Sequence, residues 1–589
     1  MQSGTPSKEP MNRDRPTPSS LAAASPSLTQ GLILLSVLIS GVPLYSAHAQ
    51  SIVTNGDVNP TVPSPPPSIW NIGGRLYVGQ TGTGTLSIAD GSIVNISNGY
   101  VGQAFGSYGV AAVSGTGSAW NAAGSFYIGH YGTGTLSVTE GGLVSSRDGN
   151  IGDNAQSIGT ATVAGAGSAW TNTRNAYVGT SGIGTVFIED GGTVSSSYGY
   201  VGLDTSGNGD VTVTGAGSSW KNSADITIGD GGTGVLRILN GGTVSSTSAY
   251  VGNFFGSNGS VMLSDAGSAW SNSDSLTLGN GGTGTLTLAE GAQVSVRSGL
   301  GSIVLGAFTG SSGTLSLGAA PNSPGDATGA GELDVLKLEL GDGAGTLNFN
   351  HTDNDYGLNA ALISTGAGTH ALNQLAGITR LNADNSSFNG TTTVTGGTLI
   401  IANQLGGSAS VTGGRLQVDG SFAGPVVIEQ TGTLAGVGTI SGNAAFANGG
   451  VLVGTQGQTL KFGHDLALTN ATQVNVALGG SATPALFNVA GALTLDGTLN
   501  VSSQGGFGLG VYRLFDYQGT LTDNGMTIGS TPSGVASTDL LLQSGGGQVN
   551  LTYTGGATLN FWDGGNAALH NNGAINGGDG VWRADGANW

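Results

Sequence analysis

Apolar and polar residues alternate over three to five positions along most of this chain, and each short run stops at Gly, Asn, Asp or Ser. Val211 to Ser246, V-T-V-T-G-A-G-S-S-W-K-N-S-A-D-I-T-I-G-D-G-G-T-G-V-L-R-I-L-N-G-G-T-V-S-S, shows the pattern. A period of two over so few residues predicts short half-buried strands, and the Gly-rich breaks predict frequent corners. A longer beat overlies the short one. Trp70, Trp120, Trp170, Trp220 and Trp270 stand 50 residues apart, and a G-x-G triplet keeps the same step at Gly82/Gly84, Gly132/Gly134, Gly182/Gly184, Gly232/Gly234 and Gly282/Gly284. A constant period this long marks a stacked repeat, because any change of length would break the register between copies.

A finer period divides the 50 residues. Tyr77-Val78-Gly79 is followed by Tyr100-Val101-Gly102 and then by Tyr127-Ile128-Gly129, so one repeat predicts two coils. At the spacing of hydrogen-bonded strands, about 4.8 Å, each copy adds roughly 10 Å of length. Aligning the two halves sets Val94, Val144, Val194, Val244 and Val294 opposite the tryptophans. The expectation is an internal stack in which Trp and Val alternate from coil to coil, since an indole in every coil would overfill the lumen.

Regular repeats are expected over 69–300. Beyond Val296 the register drifts: the next V-L-G is delayed to Val304-Leu305-Gly306, and Pro321 and Pro324 mark a loop. Thr391 to Ile401 and Ala492 to Val501 keep the strand-and-turn texture, so an irregular solenoid is expected over 301–555. Before the repeats, residues 50–68 hold Pro60, Pro63, Pro65, Pro66 and Pro67, a linker or cap. After them, 556–589 shifts toward Asn and Gly around Trp562, Trp582 and Trp589, as the truncated start of a further segment.

Composition narrows the fold to all-β. Glycine supplies 111 of 589 residues and charged residues only 8%, too few for long helices, while 38% hydrophobic residues suffice for a core. Fifteen basic residues against 34 acidic give a net charge of −19, which argues against nucleic acid and anionic membranes as partners. The chain has no cysteine, so disulfides and thiolate metal sites are excluded. Residues 1–49 have the form of a secretory signal: Lys8, Arg13 and Arg15, an apolar run from Gly31 to Val42, and Ala47-His48-Ala49 as the cleavage pattern. Met11 is an alternative start, and the apolar run is short for a membrane-spanning helix.

Several local phrases add a family likeness. They are G-T-L-N-F-N-H-T-D-N-D-Y at Gly345 to Tyr356, L-N-A-D-N-S-S-F-N-G-T-T-T-V-T-G-G-T-L at Leu381 to Leu399, G-T-L-A-G-V-G-T-I-S-G at Gly432 to Gly442, and G-V-Y-R-L-F-D-Y-Q-G-T-L at Gly510 to Leu521. Together with the signal and the Gly/Thr/Ser-rich coils, they resemble the passenger region of Gram-negative autotransporters (type V secretion), including its autotransporter-associated β-strand repeat. The resemblance implies a right-handed parallel β-helix (β-solenoid), displayed at the cell surface or released, and exported unfolded through a C-terminal outer-membrane barrel. Such a barrel needs many amphipathic strands of about ten residues, which nothing after residue 490 supplies. Ala587, Asp585 and Arg583 occupy the alternating positions before Trp589 that a barrel strand would make apolar. The expected translocator partner is therefore missing from this chain or separately encoded.

No catalytic or cofactor-binding constellation emerges. His130, His351, His370, His464 and His570 are scattered singly, and no G-x-S-x-G elbow accompanies them. The densest polar cluster is His351, Asp353 and Asp355; on a strand these alternate residues would share a face able to hold a hard cation such as calcium. The competing reading is an Asx turn at a coil corner, favoured by the lack of further ligands where calcium wants six to eight oxygens. Asp90, Glu140, Asp190, Asn240 and Glu290 recur before Gly, as an acidic ladder or as solvent-facing turn residues. A Thr row at Thr83/Thr85, Thr133/Thr135 and Thr283/Thr285 is interrupted at Ile183 and Val235, which excludes a continuous ice-binding face. The expected function is a rigid, non-enzymatic, adhesin-like stalk with an unknown surface ligand. The alternatives are an exoprotein exported by a separate partner barrel and, lower in rank, a β-helix hydrolase or lyase.

Overall fold

The computed structural model describes residues 52–321, 327–447, 449–480 and 484–557, together with Asn566 and Ala568. The signal-like segment 1–49, Pro324, His570 and the tryptophans Trp562, Trp582 and Trp589 lie outside the described residues. Within them the chain is all-β, a parallel β-solenoid of about 18 turns, with one 3-10 turn at Ser537–Asp539.

Two coils do make one 50-residue repeat. In one sheet Thr133 pairs with Ile158 and Ile158 with Ile183, a step of 25 residues per coil. Along Thr133–Thr139 the period of two turns Gly134, Leu136 and Val138 inward and leaves the intervening residues half-exposed. The other wall takes two short strands from each coil, such as Ala119–Ala122 and Ser125–Ile128, which continue its ladder side by side. There Trp170 pairs with Val144 on one side and Val194 on the other, and Trp220 with Val194 and Val244. The void between Trp170 and Trp220 is only about 10 Å³, at the lower edge of the space one water needs.

Polar residues also enter the interior where the coil bends. Asn172, Asn222 and Asn272 are buried, and each accepts a hydrogen bond from a serine one coil earlier: Ser146 at 2.6 Å, Ser196 at 2.7 Å and Ser246 at 2.7 Å. The ladder satisfies the amide oxygens, while Nδ2 of Asn222 and Asn272 is buried without a partner among the described residues.

The cross-section changes partway along. The 20-stranded sheet continues as far as Leu521–Asp523, whereas the 22-stranded sheet ends at Ala361–Ser364 and two nine-stranded sheets begin at Tyr356–Leu358 and Asp384–Asn385. Thr391 then pairs with Ser408 and Ala409 with Val426, so the coil contracts to 17 residues. Phe388 and Phe422 supply bulk in this narrower part, and Phe462 and Phe487 do so where the step lengthens again, to 22 residues from Ile440 to Phe462 and 27 from Leu460 to Phe487. Both described ends of the stack carry antiparallel strands. Ile52–Gly56 and Val58–Asn59 cross the first coil, and Gln548–Tyr553 lies between Gly510–Tyr517 and Leu540–Gly545.

Candidate functional site

His351 immediately follows the strand Ala344–Asn350 and is fully buried. Its Nε2 lies 2.8 Å from Thr379 Oγ1, while its Nδ1 stands 3.7 Å from Asp353 Oδ2 and has no hydrogen-bond partner among the described residues. Asp353 Oδ2 accepts the Ala330 amide at 3.0 Å, and Asp355 turns away toward Arg380 Nε at 3.5 Å. The three residues therefore do not converge. The expectation of a shared face assumed a strand, but the chain leaves the extended ladder after His351 and bends, so alternation stops applying. Among the described residues no group of three His, Cys, Asp or Glu side chains is placed to hold a metal ion.

What His351 offers instead is a titratable group in an apolar setting, beside Tyr356 at 5.2 Å and Phe349 at 6.3 Å between ring centroids. Burial holds its imidazole below the ordinary value of 6.5, with the neighbouring Asp353 carboxylate opposing part of that shift. Below pH 6.5 the unfolded chain takes up a proton at this position that the folded chain resists. Its contribution to stability is thus present above that pH and is lost as the pH falls toward the lower folded value. Urea midpoints measured between pH 7.5 and 5 should fall for the native chain and fall less for His351→Gln. Equal slopes for the two proteins would rule this out.

The other histidines are each engaged differently. His370, nearly buried, has Nδ1 3.0 Å from Ser364 Oγ and 2.8 Å from Asn389 Oδ1, with Nε2 2.9 Å from the Gly341 carbonyl. A serine relay needs the hydroxyl and the orienting group on opposite ring nitrogens. Here both share Nδ1, and the backbone occupies the other side. His130 pairs with Asp153 at 2.7 Å and packs among Tyr100, Tyr127 and Tyr131. His464 is exposed.

The acidic register has a backbone explanation. Asp90, Glu140, Asp190, Asn240 and Glu290 all adopt φ between 51° and 55°, and each is followed by a glycine also at positive φ. Two consecutive left-handed residues make a tight reversing turn, so the row belongs to the coil corners. Outside the corners, tyrosines stack on the half-exposed face: Tyr77 on Tyr100 at 5.0 Å, Tyr100 on Tyr127 at 4.9 Å, and Tyr177 on Tyr200 at 5.3 Å. Arg75 lies over the Tyr100 ring at 5.9 Å. The sequence displayed this ladder as the Tyr-x-Gly beat, where it served only to count coils.

No protein-family profile matches the chain. Among curated proteins it is 33% identical over 271 residues to "Adhesin BmaC autotransporter" of Brucella suis biovar 1 (strain 1330), a match covering 44% of this chain and 7% of that protein. It is also 34% identical over 121 residues to "Extracellular serine protease" of Serratia marcescens, covering 20% of this chain and 12% of that protein. The chain thus spans a small part of the length of each relative. Its homologues include an autotransporter adhesin and an extracellular protease, and it shares with the expected passenger architecture a parallel β-solenoid.

Proposed function

We propose that this chain is the passenger region of an autotransporter and acts as a rigid, adhesin-like stalk at the cell surface or after release. The observation that carries the reading is the 33% identity to an autotransporter adhesin over 271 residues of a chain built as a continuous β-solenoid. Mechanically, a stack of coils holds its faces at fixed spacing. Weak contacts along one face are then presented together, and their combined avidity exceeds that of any single contact. Export would use a signal sequence and an outer-membrane translocator barrel. The same surface role follows if a separately encoded partner barrel performs the second step.

We assign no enzymatic activity. The serine-protease likeness covers only 20% of the chain, and the Ser364–His370 contact has the wrong geometry for a relay. Display of the chain on a non-adherent Gram-negative host, with a translocator supplied, should increase attachment to cells or surfaces, or aggregation between sister cells. Attachment and settling equal to those of the host alone would sink the adhesin reading.

A further inference from the structure

Phe255 is 88% exposed, the largest exposure of any large hydrophobic side chain among the described residues. Phe254 at 60% and Phe308 at 61% accompany it. Burying such rings would be favourable, and exposed apolar groups clustered at one place mark interaction sites more often than isolated ones do.

Register sets their arrangement. The Gly281 amide donates to the Asn253 carbonyl and the Phe308 amide to the Asn280 carbonyl, which places Phe254, Gly281 and Phe308 in one column on three successive coils. Two phenylalanines thus stand two coils apart, roughly 9.6 Å by strand spacing, with only hydrogen between them on the intervening turn. The equivalent position holds Thr81, Tyr131 and Ser181 in the first three repeats but Gly231 in the fourth, and at Gly281 a Cβ would press on the Asn253 carbonyl oxygen at 2.8 Å. Beside this column lies an open notch of about 350 Å³, lined by Phe255, Asn258, Gly281, Gly282, Thr283 and Gly310 among others. Asn258 and Thr283 pair across adjacent strands and are exposed at its rim.

We infer that this notch binds an uncharged pyranose residue of a glycan, an assignment that rests on the adhesin reading and gives that reading a ligand class. A pyranose has an apolar C–H face that packs on an aromatic ring and a rim of hydroxyls that pair with carboxamide and hydroxyl side chains. Apolar Phe255 and polar Asn258 and Thr283 supply both. The charge pattern selects against acidic sugars: residues 238–296 contain no Lys or Arg, and the whole chain carries −19. A sulfate or uronate would find no cation there and would meet a repulsive field. The volume falls within the range of small-ligand sites, about 300–1,000 Å³.

The test uses the full chain titrated with neutral hexose oligomers, alongside a sulfated and a uronate oligosaccharide as charged counterparts. A neutral oligomer should bind, with little dependence on salt. The combined substitution of Phe254, Phe255 and Phe308 by Ala should weaken binding at least tenfold without changing the melting profile. The inference is overturned if no neutral oligomer binds, if only charged sugars bind, if the phenylalanine variant binds equally well, or if the patch proves to drive self-association alone. Displayed cells keep the two readings apart. Unchanged adhesion by the phenylalanine variant removes the notch and leaves the adhesin standing, whereas sugar binding in solution without adhesion removes the adhesin and leaves the notch.

Discussion

Gly184→Val should open the solenoid locally and cost at least about 4 kcal/mol, at the far end of what single substitutions do. Gly184 is the second residue of the strand Ile183–Glu189 and faces inward. A Cβ there would collide with the carbonyl oxygen of Ile151 and the amide nitrogen of Gly179, both backbone atoms that have no rotamer to escape into. Gly179 itself turns the corner at φ 70°, which few other residues adopt readily. Glycine pairs with glycine along this column, Gly159 with Gly184 and Gly184 with Gly209, so the collision reaches the coil before and displaces the coil after. Limited proteolysis should show new cleavage between residues 150 and 210. Native resistance in the variant would mean that the backbone can relax in a way this packing does not permit.

Trp170→Ala should destabilise by about 3–5 kcal/mol, the range for deleting a large aromatic from a core. The indole is 1% exposed and sits in register between Val144 and Val194, and its N–H lies 3.3 Å from Ser146 Oγ. The adjoining void is only about 10 Å³, so neighbours have little slack with which to fill the hole. Trp170→Phe should recover much of the loss, because it restores ring volume. Chemical denaturation of both variants reads the difference. A loss below about 1 kcal/mol for the alanine variant would show that the coil collapses around the gap.

The two-coil repeat was legible because the tyrosine and glycine beats recur without insertion over 69–300, so equivalent rungs keep one spacing. After Val296 no large residue recurs, and nothing in the local pattern tells a 25-residue coil from the 17-residue coil that joins Thr391 to Ser408. A shared face for His351, Asp353 and Asp355, the less favoured of the two sequence readings, extended period-two logic past the end of a strand. Ser364, His370 and Asn389 went unnoticed as neighbours because their proximity comes from a bend and a coil crossing. Phe255 escaped attention because a search for recurrence discards what differs between repeats. In a repetitive scaffold, the non-recurring corner residues are where specificity can be written.

The alternation of indole and isopropyl along the lumen also sets a unit of inheritance. Loss or duplication of one 50-residue copy rejoins Trp to Val at the new seam and changes the reach of the stack by roughly 10 Å. A half-copy event instead brings two indoles onto successive rungs, or two valines, and leaves the seam overfilled or hollow. Recombination between such similar segments is therefore filtered by the packing itself.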